Sequence, residues 1–189
     1  SSQYGFRHNH STENAISQLT AAIINGFEKK KWTLGVFLDL SKAFDTIDHT
    51  ILLTKLERYG IRGIALDWFK SYLSERSQYV DFKGVSSKPR SVTCGVPQGS
   101  VLGPLLFIIY TNDLPEVIKR ADGLLFADDT TIYYTSDSID ELLSIINSEL
   151  DSVTDWFRAN KLSLNVSKTN FIIFQTRHLP IPDYSGLEI

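Results

Sequence analysis

Gly123-Leu124-Leu125-Phe126-Ala127-Asp128-Asp129-Thr130-Thr131-Ile132-Tyr133-Tyr134 is the stretch whose reading decides the fold. Gly123–Phe126 and Thr130–Tyr134 are strand-like runs, and Ala127-Asp128-Asp129 lies between them. Two such runs around a short polar tip read as a hairpin with two adjacent carboxylates at its corner. Like charges side by side near a core are costly unless a cation sits there. Asp also favours ordinary solvated turns, so the pair alone leaves both readings open. Upstream, Thr33–Leu40 is an apolar run that reads as a buried strand, and Asp39 stands near its end. Carboxylates in both places break local rules, and such breaks tend to mark function. Hard divalent ions take carboxylate oxygens and keep water and phosphate as other ligands. Asp39 brought beside Asp128 and Asp129 would therefore make a two-metal site for phosphoryl transfer.

Further elements follow by pattern. Ser11 or Thr12 can cap a helix to about Lys30, with Ala15, Ile16, Leu19, Ala22, Ile23 and Phe27 on one stripe. Thr46 or Asp48 caps a helix bearing Ile51, Leu52, Leu56 and Tyr59, which Gly60 stops, and another helix runs from about Ile64 to Leu73. Gln78–Lys83 and Arg90–Cys94 form a hairpin with Gly84 near its turn. Gly95–Ser100 is a loop ahead of an apolar segment, Leu102–Tyr110. Ile139, Leu142, Leu143, Ile146, Leu150, Val153 and Phe157 mark an amphipathic helix, and Leu162–Asn165 and Asn170–Phe174 close as short strands. The order gives an α+β fold, helices on one antiparallel sheet.

The 189 residues suffice for one domain, and no repeat or linker divides them. Hydrophobic residues at 42% and charged ones at 22% exclude disorder. No apolar run approaches a membrane span, so no membrane partner is expected. The lone Cys94 forms no internal disulfide, and the four His show no zinc-ligand spacing with it. The absence of Met suggests a piece cut from a longer polypeptide. Net charge is −3, unlike most free-standing nucleic-acid binders. Nine acidic residues and no Lys or Arg lie between Ala121 and Phe157, however, which leaves the remainder net basic.

Phe37-Leu38-Asp39-Leu40-Ser41-Lys42-Ala43-Phe44-Asp45 resembles the first catalytic motif of reverse transcriptases of non-LTR (LINE-type) retrotransposons. GVPQGSVLGPLLF, Gly95 to Phe107, resembles their second conserved block, and Phe126-Ala127-Asp128-Asp129 their catalytic turn. Tyr4-Gly5-Phe6-Arg7 with Ser11-Thr12 resembles the segment just before the first motif. The resemblance covers nearly the whole chain. It implies a polymerase palm over about 32–189 and a fingers-side remnant over about 1–31, with the thumb and most of the fingers absent. The implied activity is RNA-directed DNA synthesis: a primer 3′-hydroxyl attacks a deoxynucleoside triphosphate on an RNA template. Mg²⁺ is the implied cofactor, with Mn²⁺ able to substitute. The implied setting is an intracellular one, nucleus or cytoplasmic ribonucleoprotein, within a larger retrotransposon polyprotein. Isolated, these residues are expected to copy poorly or not at all.

Residue by residue, the resemblance makes Asp39 and Asp128 metal ligands, Asp129 a weaker one and the Leu40 carbonyl a further one. Phe44 matches a steric gate that rejects a 2′-hydroxyl by repulsion, a role compatible with a core Phe. Gln98 would touch the incoming nucleotide, and Gly99 would let the backbone approach closely. Lys168 fits a lysine near the pyrophosphate, with a plain surface lysine as the competing reading. The resemblance also puts Arg7 and Lys42 near the phosphates, and Phe126 against the primer end. Asp45 and Asp48 read more simply as helix caps. The rival function is a non-catalytic or domesticated RNA-binding module that keeps the fold.

Overall fold

The computed structural model describes residues 3–8 and 10–187. In chain order the elements are α1 (Thr12–Glu28), β1 (Trp32–Leu38), α2 (His49–Arg58), α3 (Ile64–Leu73), β2 (Ser77–Gln78), β3 (Asp81–Phe82), β4 (Val85–Ser86), β5 (Arg90–Ser91), α4 (Leu102–Thr111), β6 (Asp122–Phe126), β7 (Asp129–Ser136), α5 (Ile139–Ala159) and β8 (Asn170–Phe174). They form two compact units, residues 1–41 with 112–189 and residues 42–111.

The first unit is built on a four-stranded sheet in the order β6-β7-β1-β8. Every pairing in it is antiparallel, as expected of helices on one antiparallel sheet. β1 is central, and its residues are buried whichever face they point to, except half-buried Phe37. That is why it reads as an unbroken apolar run rather than an alternating one. α1 covers one face, where Ala15 packs on Leu124 and Tyr133. Gly26 lies so close there that an added Cβ would stand 2.6 Å from Thr33 Oγ1. α5 contacts β7 and β1 and buries Leu142, Ile146, Leu150, Val153 and Phe157 of the expected stripe, along with Ile145 and Trp156, while Ile139 and Leu143 are half-buried.

Ser11 caps α1 through the Asn14 N–H. Two members of the expected α1 stripe, however, are not core. Ile16 is 64% exposed and Phe27 37%. Ile16 faces an open groove instead of the sheet. The expected strand at 162–165 reduces to a single bridge between Leu164 and Leu40. From Asn165 the chain turns at once, its carbonyl accepting from the Lys168 and Thr169 N–H groups at 3.0 Å each.

In the second unit Asp48, not Thr46, caps α2, accepting from the Ile51 N–H at 3.0 Å. Gly60 ends it with φ +93°, and α3 spans the expected residues. The apolar segment after the Gly-Pro loop is helical, as α4. Leu52 and Leu56 of α2 and Leu106, Phe107 and Tyr110 of α4 are fully buried. The expected hairpin is two short ladders, β2 with β5 and β3 with β4, with Gly84 at φ +77° in the turn. Between the ladders Ser87 binds Val80 twice, its N–H donating to the Val80 carbonyl at 2.8 Å and its hydroxyl accepting the Val80 N–H at 2.9 Å.

Candidate active site

The β1–β7 register runs to Leu38 opposite Thr130, so one further step sets Asp39 level with Asp129. Side chains alternate faces along a strand. Asp39 therefore shares the α1 face with Phe37, and Asp129 shares it with Thr131. Both line one cavity of about 510 Å³, together with Thr12, Ile16, Phe126 and Lys168. That volume is in the range of small-molecule sites.

Charge makes the proximity felt. The Asp129 carboxyl is pushed above its ordinary value of 3.8, first by burial, then by the negative charge of Asp128, then by that of Asp39. Asp129 nonetheless keeps solvent contact, so its desolvation is partial. Asp128 is half-buried beside Ala127, whose φ of 55° turns the chain at the corner.

Asp39 is tethered from the segment after α5. The Asn165 N–H donates to the Asp39 carbonyl at 2.8 Å, and Asn165 Nδ2 donates to Asp39 Oδ2 at 3.0 Å. Lys168 Nζ lies 3.7 Å from the same Oδ2 while 71% exposed. Ser41 N–H donates to Ser163 O at 2.8 Å, which leaves Leu40 as the bridging residue between two hydrogen-bonded neighbours. In that antiparallel pattern the bridging residue turns its own N–H and C=O away from its partner. The Leu40 carbonyl is thereby directed away from Leu164.

Among the described residues, no group of three or more His, Cys, Asp or Glu side chains lies close enough together to hold a metal ion. The donor set still suits a hard divalent cation, being carboxylate oxygens with a main-chain carbonyl. The repulsion around Asp129 is of the kind a cation relieves.

Other candidate residues lie in the second unit. Half-buried Phe44 stacks on Phe107, centroids 4.6 Å apart. Exposed Gln98 donates from Nε2 to Asp45 Oδ1 at 2.7 Å. Asp45 thus serves Gln98 and a short turn, not the α2 cap expected of it. Gly99 has φ +76° with open space around it, and Lys42 is exposed with φ 52°. Lys42, Asp45 and Gln98 line a second cavity with Arg76 and Gln78, of about 700 Å³. Arg7, in the first unit, is exposed and is not part of the lining around Asp39.

Two residues near the carboxylates escaped the sequence reading. Asn165 drew notice only as a neighbour of Lys168; a turn-forming Asn after a strand-like run was its signal. Gln3 is 4% exposed, and its side chain reaches Ala127 in the acidic corner. Nothing in its local pattern marked it.

Comparison with known proteins places this geometry. The family described as reverse transcriptase (RNA-dependent DNA polymerase) matches residues 1–185. A probable RNA-directed DNA polymerase from transposon BS of Drosophila melanogaster is 36% identical over 88% of this chain and 19% of its own length. The RNA-directed DNA polymerase from mobile element jockey of the same organism is 32% identical over 97% of this chain and 21% of its own length. The chain thus spans about a fifth of these relatives. In fold it resembles the telomerase of Candida tropicalis, with a TM-score of 0.64 at 15% identity over 94% of this chain and 37% of that one. It also resembles the telomerase of Candida albicans solved with a fragment of telomeric RNA, with a TM-score of 0.63 at 12% identity over 99% of this chain and 33% of that one. No helix among the described residues is long and apolar enough to cross a membrane. A match across nearly every residue, on a sheet that sets Asp39 level with the acidic corner, leaves one conclusion: this chain belongs to the reverse transcriptase family.

Proposed function

We propose that the chain is the palm-centred catalytic core of an RNA-directed DNA polymerase of the non-LTR retrotransposon type. Its reaction would join a deoxynucleoside triphosphate to a DNA primer 3′-hydroxyl on an RNA template. One observation carries this reading: Asp39 and Asp129 line the same groove, and Asp129 feels the charge of both Asp39 and Asp128. In this reading residues of about 32–189 are palm, residues of about 1–31 lie on the fingers side, and both belong to a larger retrotransposon polyprotein.

Asp39, Asp128 and Asp129, with the Leu40 carbonyl, would hold Mg²⁺, or Mn²⁺ in its place. Bound there, the metal would neutralise triphosphate charge and stabilise the attacking and leaving oxygens. Asn165 keeps the Asp39 carboxylate aimed. Lys168 can leave Asp39 easily, since exposed ion pairs are worth about 0–1 kcal/mol, and would then steady the departing pyrophosphate. Phe126, on the groove wall, suits contact with the primer end. The roles of Phe44 as sugar gate, of Gln98, Lys42 and Arg7 toward the nucleotide, and of Gly99 toward the primer-template rest on the motif resemblance.

The alternative is an RNA-binding module that keeps the fold without the chemistry. Single-nucleotide incorporation on an RNA template, at high protein concentration with Mg²⁺, separates the two. Incorporation that vanishes in Asp128→Ala supports the polymerase. Because these residues alone are expected to copy poorly, the module is supported by RNA retention with no incorporation even within the longer polyprotein.

A further inference from the structure

We propose that Gln3 is a positioning residue that holds the acidic corner in its metal-receiving shape. This rests on the polymerase reading for its purpose, though not for its geometry. Gln3 is almost wholly buried, and among the described residues its carboxamide bonds to Gly5 and Ala127. Its Oε1 accepts from the Gly5 N–H at 2.7 Å and from the Ala127 N–H at 3.2 Å, and its Nε2 donates to the Ala127 carbonyl at 3.3 Å. One side chain thereby grips both main-chain groups of the residue immediately before Asp128.

Ala127 needs that grip. Its φ of 55° lies in the left-handed region, costly for a residue with a Cβ. Such a conformation persists where its surroundings over-determine it. Two neighbours add to the hold. The Tyr4 N–H donates to the Leu125 carbonyl at 2.8 Å, and Gln3 itself bridges Leu125 in parallel. Gly5 lies directly against the corner, where an added Cβ would come within 2.2 Å of the Ala127 nitrogen. The segment 3–5 is thus a brace against the main chain that carries Asp128 and Asp129. A group that orients ligands without touching the metal tunes affinity by about 10–100-fold in known metal sites.

The test compares wild type with Gln3→Met, which keeps length and apolar bulk, and Gln3→Glu, which keeps the acceptor oxygen. Two readouts are needed: exchange of the Ala127 amide by NMR, and Mn²⁺ affinity of this chain by electron paramagnetic resonance. We expect Gln3→Met to speed Ala127 exchange and weaken Mn²⁺ binding about 10-fold, while the amides of β1 stay protected. Gln3→Glu should restore Ala127 protection, since its carboxylate still accepts that N–H. Unchanged Mn²⁺ affinity in Gln3→Met, or an Ala127 amide equally protected in it, overturns the proposal. Should Gln3→Met fail to fold, loss of Ala127 protection in Gln3→Glu overturns it instead. If wild type binds no Mn²⁺, the polymerase reading fails, while amide exchange still reads the brace.

Discussion

Asn165 holds Asp39 at two points, giving its main-chain N–H to the Asp39 carbonyl and its side-chain Nδ2 to the Asp39 carboxylate. Hydrogen bonds to charged groups contribute about 1.5–3 kcal/mol each. Asn165→Ala keeps the main-chain bond and removes the side-chain bond to Asp39, along with the one Asn165 Oδ1 accepts from Ser167 Oγ, so the carboxylate should swing while β1 stays paired. Mn²⁺ affinity should fall by roughly 10-fold or more, and the thermal midpoint by roughly 3–12 °C. Titration of Mn²⁺ into both proteins, alongside melts, checks this; equal affinities would show that the tether is decorative.

Asp129 gives a pH dependence with a definite sign. Its folded carboxyl keeps a proton to higher pH than the ordinary 3.8 of an unfolded chain. Its contribution to folding is therefore full below 3.8 and is lost as pH rises through the raised folded value. At neutral pH the ionised group opposes folding, though solvent screening keeps the effect below about 1 kcal/mol. Asp129→Asn should raise the midpoint at pH 7 by up to roughly 2–4 °C and have no such effect near pH 3.5. Mg²⁺ should shrink the difference by stabilising wild type alone. Melts at both pH values, with and without Mg²⁺, supply the measurement, and an Asn variant less stable at pH 7 would contradict it.

Glu149 of α5 is 4% exposed, and its carboxylate accepts from the main-chain N–H groups of Lys119, Arg120 and Ala121 at 2.6–3.4 Å. This fixes the chain one residue before β6 begins. Glu149→Ala orphans those donors and should cost about 2–4 kcal/mol. In a chain of this size that lowers the midpoint by roughly 5–15 °C. Glu149→Gln should lie between the two, and urea melts of all three proteins will show the order.

Phe44 stacks on Phe107, so its ring is held as well as bulky. Phe44→Val should admit ribonucleotides, raising their incorporation relative to deoxynucleotides by about 10-fold or more. Loss of the aromatic pair should cost about 0.5–1.5 kcal/mol beyond lost burial. Paired incorporation assays with the two nucleotide types decide it; an unchanged ratio would return Phe44 to a packing role.

How far these features were legible depended on their range along the chain. α1, α3 and α5 announced themselves because caps and apolar spacing are local, as with Ser11 before Thr12. Asp39 and the acidic corner stood out because a carboxylate closing an apolar strand contradicts its surroundings. Ile16 was misplaced because periodicity identifies an apolar face without saying whether a sheet or an open groove lies opposite. Asn165 and Gln3 were overlooked for a different reason. Their partners lie 126 and 124 residues away, and a polar residue looks the same in sequence with or without a distant partner. Asp45 misled in the reverse sense, since a local cap was the simpler reading until Gln98 proved to be its partner.

The same long separations set an order of events. β1 finds both its neighbours, β7 and β8, far downstream, so no pair of adjacent segments can form the acidic site early. Closing such loops is slow, and the entropy is lost before the contacts repay it. Competence to take up Mn²⁺ should therefore arrive as the last event in refolding, after helical signal has recovered, and a chain stalled midway would carry its helices without the chemistry.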